Sequence, residues 1–579
     1  MNKKDLILNI LLFISQIIVF YYFFCYLFPF KEQLQMFQFT SQYLTETLKQ
    51  AGGVAIYISE FLSQFYVVFW TGPIISALLL TLVALLSSLI LKKINSRNDL
   101  PLIFLLPWLS LLIISLDYDY YEQGTIAYLF LLLFLWLYTN IKTRIKFIYG
   151  ICIIPILYGI AGPIVHLFAI SALFFEFLTN GKKKYISIIY LLIAALSAIA
   201  GTYLGYSRNL TLAFLPEAYC NPLQTVSGIY YAWYALPMTM LLVAYLKRYK
   251  EPVSLKGKCI WEGAQWAIMF LLVYQGIFHF GKLDAQHSMK QDYLLRTEQW
   301  DLDVLSKRRM CGLNLALAHK GQLSERLLDY PQHGIETLML HWDQSIYTAQ
   351  LHSDLYYCMG IISAAQKFAF EAFVSSRSSG NPRMLKRLIE TNLITGSYPI
   401  ADKYIQLLEK TWFYKDWATA HRRFLYNDKA VEEDKILGMK RRCWKAEASA
   451  AKLYTDPVSS LINLLPACPD NKAGLAYLTS FLLLNKDIET YKTLQESLYR
   501  SPAWRDMTEC QQEAIVICSP NDPHFWLEHG VSIKVRNRAI AFMQKVQDVS
   551  RSGQNLAVAL ASEYGKTYWY YYMFNMMDK

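Results

Sequence analysis

The chain has 579 residues, 54% apolar and 17% charged, with a formal net charge of +11, and it is too long for one ordinary domain. Residues 1–281 carry 19 Lys/Arg against 12 Asp/Glu, and residues 282–579 carry 37 against 33. No basic, aromatic-interleaved stripe accompanies the excess, which argues against nucleic acid as a partner.

The apolar residues concentrate in residues 1–281, where long runs of Leu, Ile, Phe, Tyr and Ala recur. A span needs about 20 apolar residues to cross about 30 Å of hydrocarbon. The first candidate, 5–30, follows Met1-Asn2-Lys3-Lys4; its run is too long for a cleaved signal, so it reads as an anchor. Further candidates are 67–91, 101–116, 124–141, 147–160, 163–178, 186–204, 229–246 and 265–280, about nine in all.

Charge placement orients them. If these spans alternate, sixteen Lys/Arg fall on one side, in clusters around Lys3, Lys92, Lys142, Lys182 and Lys247, and the opposite loops hold only Lys31, Lys49 and Arg208. The asymmetry predicts a cytoplasmic N-terminus. It also splits 147–178 into two helices at Ala161-Gly162-Pro163, because one helix would separate Lys142 and Lys146 from Lys182–Lys184. Nine spans then place 282–579 outside, in the periplasm of a bacterial cell, with 1–281 in its cytoplasmic (inner) membrane.

The first outside loop, 31–66, shows apolar residues at helical spacing on either side of Gly52-Gly53, and is expected to form two amphipathic interfacial helices. Its acids are Glu32, Glu46 and Glu60. The second, Asp117-Tyr118-Asp119-Tyr120-Tyr121-Glu122, is the densest acidic cluster of this half. Its DxD spacing suits a divalent cation shared with a pyrophosphate, or else a solvated interfacial loop. Arg208, the one cation of the third loop, is a candidate partner for a lipid phosphate. The ten cysteines show no CxxC and no paired Cys/His spacing, so they read as buried free thiols.

Residues 282–579 lack strand-like alternation and repeat Ala, Leu and Tyr at spacings of three and four. Weak self-similarity places Gly321, Gly360 and Gly396 at the ends of successive helices, and a later copy runs through 475–494. Helical hairpins with glycine at the turn resemble tetratricopeptide-type repeats, and predict an α-solenoid. The aromatic tail 568–574 is expected to dock on the end of that solenoid or, as the alternative, to touch the membrane surface.

The whole length resembles an uncharacterised bacterial family of multi-pass membrane proteins with a helical C-terminal half. The resemblance rests on Gly52-Gly53 followed by Phe61-Leu62-Ser63-Gln64-Phe65-Tyr66, the 314–321 stretch, Thr391-Asn392-Leu393 and the 567–572 tail. It implies fold and localisation only. A weaker, architectural resemblance is to integral-membrane glycosyltransferases of the GT-C class. There Asp117 and Asp119 look like the second-loop DxD of oligosaccharyltransferases, although the usual acidic motif of the first loop is missing and only Glu32 or Glu46 stands in its place.

Two functions follow. One is a membrane-anchored scaffold, all-α, whose helical-repeat half binds a protein partner beside the lipid bilayer. The alternative is a transferase using a lipid-linked sugar or glycan. In it Glu46 or Glu32 acts on the acceptor, Asp117 and Asp119 hold Mg²⁺ or Mn²⁺, and Arg208 meets the lipid phosphate. Transport is disfavoured because charges within the spans are nearly absent.

Overall fold

The structure is a computed structural model that describes residues 3–97, 100, 102–179, 186–221, 226, 228–249, 254–280, 283–297, 307–376, 380–448, 456–498 and 507–575. The chain divides into two compact units, Met1–Met289 with Lys410–Phe413, and Lys290–Glu409 with Tyr414–Lys579. The expected boundary at residues 281 and 282 falls outside the described residues.

Apolar runs of the first unit form helices α1 (Lys3–Phe23), α2 (Leu27–Glu32), α3 (Ser41–Leu48), α4 (Gly53–Ser63), α5 (Thr71–Ile94), α6 (Leu106–Ser115), α7 (Glu122–Asn140), α8 (Thr143–Ala161), α9 (Val165–Leu178), α10 (Ile189–Tyr203), α11 (Leu210–Phe214), α12 (Ile229–Leu246) and α13 (Leu255–Phe280). Among the described residues, four helices are long and apolar enough to cross a membrane on their own: α1 from Asp5, α5, α7 and α12. The others are shorter or more polar. Helix α9, with 14 residues, reaches about 21 Å at 1.5 Å per residue. Helix α13 is long but carries Lys256, Lys258 and Glu262 in its first turns.

The expected continuous run 5–30 is broken. The chain leaves α1 at Phe23 and, after a turn at 24–26, continues as α2, whose six residues are all buried. Phe28 anchors the new direction. Its ring meets Phe20 at 5.5 Å and Tyr66 at 5.3 Å, and it fills the space a side chain at Gly72 would need. The break between α8 and α9 lies at Gly162, as charge placement requires.

Helix ends sort into two groups. At one end, Lys92 pairs with Asp5 at 2.6 Å and Lys146 with Glu176 at 2.6 Å, while Asn95 donates to Val243 O and Arg97 to Leu246 O. The starts of α1 and α8 and the ends of α5, α9 and α12 therefore lie together. Lys182–Lys184 fall outside the described residues. At the other end, Ala51 N–H donates to Tyr206 O at 2.9 Å, Gly52 N–H to Tyr158 O at 3.2 Å and Tyr121 N–H to Tyr219 O at 3.0 Å. Gly52 has φ +77°, and a Cβ there would stand 3.0 Å from the Ala161 carbonyl, so only glycine lets these two turns touch.

The second unit is built of helical hairpins: 346–359 with 362–375, 382–395 with 398–409, and 472–484 with 488–498. Gly360 and Gly396 end the first helices of two of them in the left-handed conformation. Lys486, at φ 56°, makes the corresponding turn in the third. Their terminal carbonyls are capped from far along the chain. Lys440 donates to Cys358 O at 2.9 Å, Asn471 to Met359 O at 2.7 Å, and Arg441 to Leu393 O and Ile394 O at 2.8 and 3.0 Å. Removing a buried partner of this kind typically costs about 1–3 kcal/mol.

The aromatic tail packs inward. Tyr568 and Tyr571 hydroxyls donate to Leu483 O and Leu484 O, closing the end of helix 472–484, and Trp569 Nε1 donates to Glu513 O. Tyr568 N–H donates to the Glu513 carboxylate at 2.6 Å. Burial raises the Glu513 carboxyl from its ordinary 4.5 to about 7. The folded domain thus holds a proton that the unfolded chain has released, and stability falls as pH rises from 4.5 to 7. Glu513→Gln keeps an acceptor for Tyr568 N–H without the buried charge. Its melting temperature is expected to exceed wild type at pH 8, by an amount worth about 1–3 kcal/mol, and to match it at pH 4.5. Parallel melting curves of the two full-length proteins across this range would refute the assignment.

Candidate functional site

The candidate site grows from one lysine. Lys31 ends α2 between the apolar run 27–30 and the stretch 33–38, every residue of which is buried. Its side chain has no route to water, and only 5% of the residue is exposed. The ammonium instead donates to Ser115 O at 2.9 Å, at the last residue of α6, where the helix dipole is negative. The charges of Glu122, Asp117 and Asp119 surround it, and its ring neighbour is Tyr120 at 5.9 Å. Burial pulls the Lys31 pKa below its ordinary value, while the three carboxylates oppose that shift.

The acids are held by the turn between α6 and α7. Asp117 accepts from Asp119 N–H at 3.0 Å, a local side-chain turn that fixes the DxD geometry. Asp119 in turn accepts from the Asn221 side chain at 3.0 Å, and Asn221 N–H donates to Asp119 O at 2.9 Å. Tyr120 and Cys220 form an antiparallel bridge. The 117–121 turn is thereby stitched to 219–221. Glu122, first residue of α7, sits where a helix favours negative charge and accepts from Ser76 Oγ at 2.8 Å. Tyr66 OH lies 3.3 Å from the same Ser76 oxygen.

Burial also sets the neighbours' protonation. Tyr66 and Tyr120 have phenol pKa values well above the ordinary one, and the Cys220 thiol is pushed up to about 12. All three stay neutral near pH 7, which removes Cys220 as a nucleophile.

The acidic turn is therefore buried rather than a solvated interfacial loop: Asp117, Asp119 and Glu122 are 4%, 3% and 4% exposed. Glu32 is buried beside Lys31. Glu46 and Arg208 lie elsewhere. Glu46 is exposed on α3 and accepts from Gln42 at 2.9 Å, and Arg208 is exposed in the turn before α11. Of the residues singled out in the sequence, the structure gathers Asp117 and Asp119, with Glu32 adjoining through Lys31. Lys31, Ser76 and Asn221 escaped sequence reasoning. The available signal was a single lysine within an otherwise uncharged run of Phe, Leu and Gln, broken only by Glu32.

Chemically, the arrangement is a buried ammonium hydrogen-bonded to a backbone carbonyl, within electrostatic reach of three buried carboxylates. No group of three or more His, Cys, Asp or Glu suited to a metal occurs among the described residues. A hard cation needs anionic oxygens facing one another, and here the Lys31 ammonium adds positive charge close to the acids. Lys31→Met leaves Ser115 O without its donor and removes the positive charge nearest the acids, and is expected to destabilise the protein by about 1–3 kcal/mol, with partial rescue by Glu122→Gln in the same chain. Millimolar Mg²⁺ should leave the wild-type melting temperature unchanged. A rise of several degrees with Mg²⁺, abolished by Asp117→Asn, would instead establish a metal site.

Neither a curated protein nor a solved structure matches the chain. One family covers it almost from end to end, matching residues 2–575, and the chain thus belongs to the family of unknown function DUF6057.

Proposed function

We propose that the protein is a membrane-anchored scaffold. Helices α1, α5 to α10, α12 and α13 span the cytoplasmic membrane of a bacterial cell, nine in all, with the N-terminus in the cytoplasm. The second unit is a tetratricopeptide-like solenoid presented in the periplasm, where it binds a protein partner. The observation that carries this reading is the sorting of helix ends. Every basic connection with a described contact touches others of its group, through Asp5–Lys92, Arg97–Leu246 and Lys146–Glu176, while the poorly charged connections touch one another. An antiparallel bundle with all its basic ends at one side is what positive-inside insertion produces. Helices as short as α9 are accommodated by local bilayer thinning at modest cost.

Hairpin arrays are typically binding modules. Phe370 and Val374, one turn apart on helix 362–375, are 48% and 57% exposed and offer an apolar contact face. The alternative reading, a GT-C-like transferase using a lipid-linked sugar, draws on Asp117 and Asp119 meeting in one site. The burial of both acids and the nearby Lys31 charge weigh against it.

Orientation is tested by labelling intact cells with an impermeant thiol reagent, in a background with Cys152, Cys259 and Cys518 replaced by Ala. Lys320→Cys should react, and Lys142→Cys should react only after permeabilisation. The reverse pattern overturns the topology. For the binding role, Phe370→Ser with Val374→Ser should abolish protein capture by the full-length chain while its melting temperature stays within about 2 °C of wild type. Capture undiminished by both changes would remove this face from the scaffold reading.

A further inference from the structure

We propose that the first unit holds an anionic glycerophospholipid of the surrounding bilayer in a groove between the α3–α4 turn and helices α8 and α10, with its phosphate on Lys49 and Arg208. The inference rests on the membrane reading above.

The groove has a volume of about 650 Å³, within the roughly 300–1,000 Å³ of typical small-molecule sites. Its walls are largely apolar, contributed by Val54 of α4, Ile156 and Ile160 of α8, and Ile193 and Leu196 of α10. Ile156 and Leu196 are more than half exposed, at 52% and 55%. The groove thus opens sideways on the apolar surface rather than into the interior. Two features shape its floor. Pro155 interrupts the hydrogen-bond ladder of α8, and Gly201 leaves room for Tyr158, whose ring occupies the place of any side chain at that position. The Tyr158 hydroxyl is buried there without a protein hydrogen-bond partner. Small residues on α10, Ser197 and Ala200, keep the channel between the helices clear.

Charge selects the occupant. Three cations lie in the connections at this end of the unit: Lys31, Lys49 and Arg208. Lys31 is buried and donates to Ser115 O. The other two sit on the segments that flank the groove. Lys49 stands between the lining residues Leu48 and Gln50, and Arg208 follows the lining residue Tyr206 by two. The hydrogen bond from Ala51 N–H to Tyr206 O, 2.9 Å, holds the two segments together. Both cations are exposed. An apolar slot with two exposed cations on its flanking segments suits an acyl chain continued by a phosphate, and their uncompensated positive charge favours a net anionic lipid over a zwitterionic one, whose own cation they repel.

The test reconstitutes the full-length protein into phosphatidylcholine nanodiscs containing phosphatidylglycerol with a photoactivatable acyl chain. A chain that stays aggregated outside the discs would defeat the membrane reading itself. With incorporation, adducts should concentrate in peptides from residues 155–160 and 193–204. Ala200→Phe, at an exposed position that fills the slot, should cut them at least fivefold. Lys49→Gln with Arg208→Gln should lower phosphatidylglycerol adducts at least threefold while leaving those from identically labelled phosphatidylcholine unchanged. Labelling spread evenly over the apolar helices, or equal yields from the two lipids in the wild-type protein, would overturn the proposal.

Discussion

The ammonium of Lys31 is the constraint on which the first unit turns. Moving one such charge from water into a protein interior costs several kcal/mol even after relaxation, and each carboxylate beside it carries a similar penalty. The cluster is tolerable because its members have polar partners and opposite charges nearby: Lys31 donates to Ser115 O in the field of the acids, Glu122 accepts from Ser76, and Asp119 accepts from Asn221. Those partners come from α2, α5, the α6–α7 turn and the segment before α12. None can move without leaving a charge stranded. An apolar bundle whose helices slide easily past one another gains from this a fixed register at one end, since buried polar groups penalise every misaligned alternative.

The opposite end of the same unit uses charge differently. Lys92–Asp5 and Lys146–Glu176 join helix ends pairwise, and the partners of Lys92 remain partly exposed. The partly exposed Lys92–Asp5 pair contributes little by itself, whereas the buried Lys146–Glu176 pair is costly to break. Their shared role in the fold is to sort the ends. The contrast explains why acids are sparse in the unit and yet gathered in one turn.

Much of this was legible in the sequence, because helices in apolar runs follow from composition alone. The stretch 229–246 is one helix, Gly162 breaks α8 from α9, and Gly360 and Gly396 end hairpin helices. What stayed hidden depends on chain direction after a run ends. Residues 5–30 read as one span because hydropathy does not register that Phe28 packs back under Gly72. The turn carries Lys31 to the last residue of α6, and a cation that looked like a loop residue is buried near the acids. The acids were found as a motif, but their burial was not, since Tyr-rich turns occur equally at interfaces. Glu46 and Arg208 were selected for being scarce charges, and scarcity does not bring residues together. In the second unit, the caps from Lys440, Arg441 and Asn471 bridge 47 to 112 residues of sequence, a range at which local patterns are silent.

Those distant caps bear on what the second unit can do. In a simple solenoid each repeat contacts its neighbours, and ends fray independently. Here adjacent residues of one helix, Lys440 and Arg441, close the ends of two successive hairpin helices, and the aromatic tail closes a third through Tyr568 and Tyr571. Opening one hairpin therefore exposes carbonyls in another. Such coupling stiffens the array and lowers the conformational entropy left to lose on binding. A rigid, non-fraying surface suits a module that presents a fixed face to its partner. It suits an induced-fit enzyme lid poorly, because a lid must open locally at low cost.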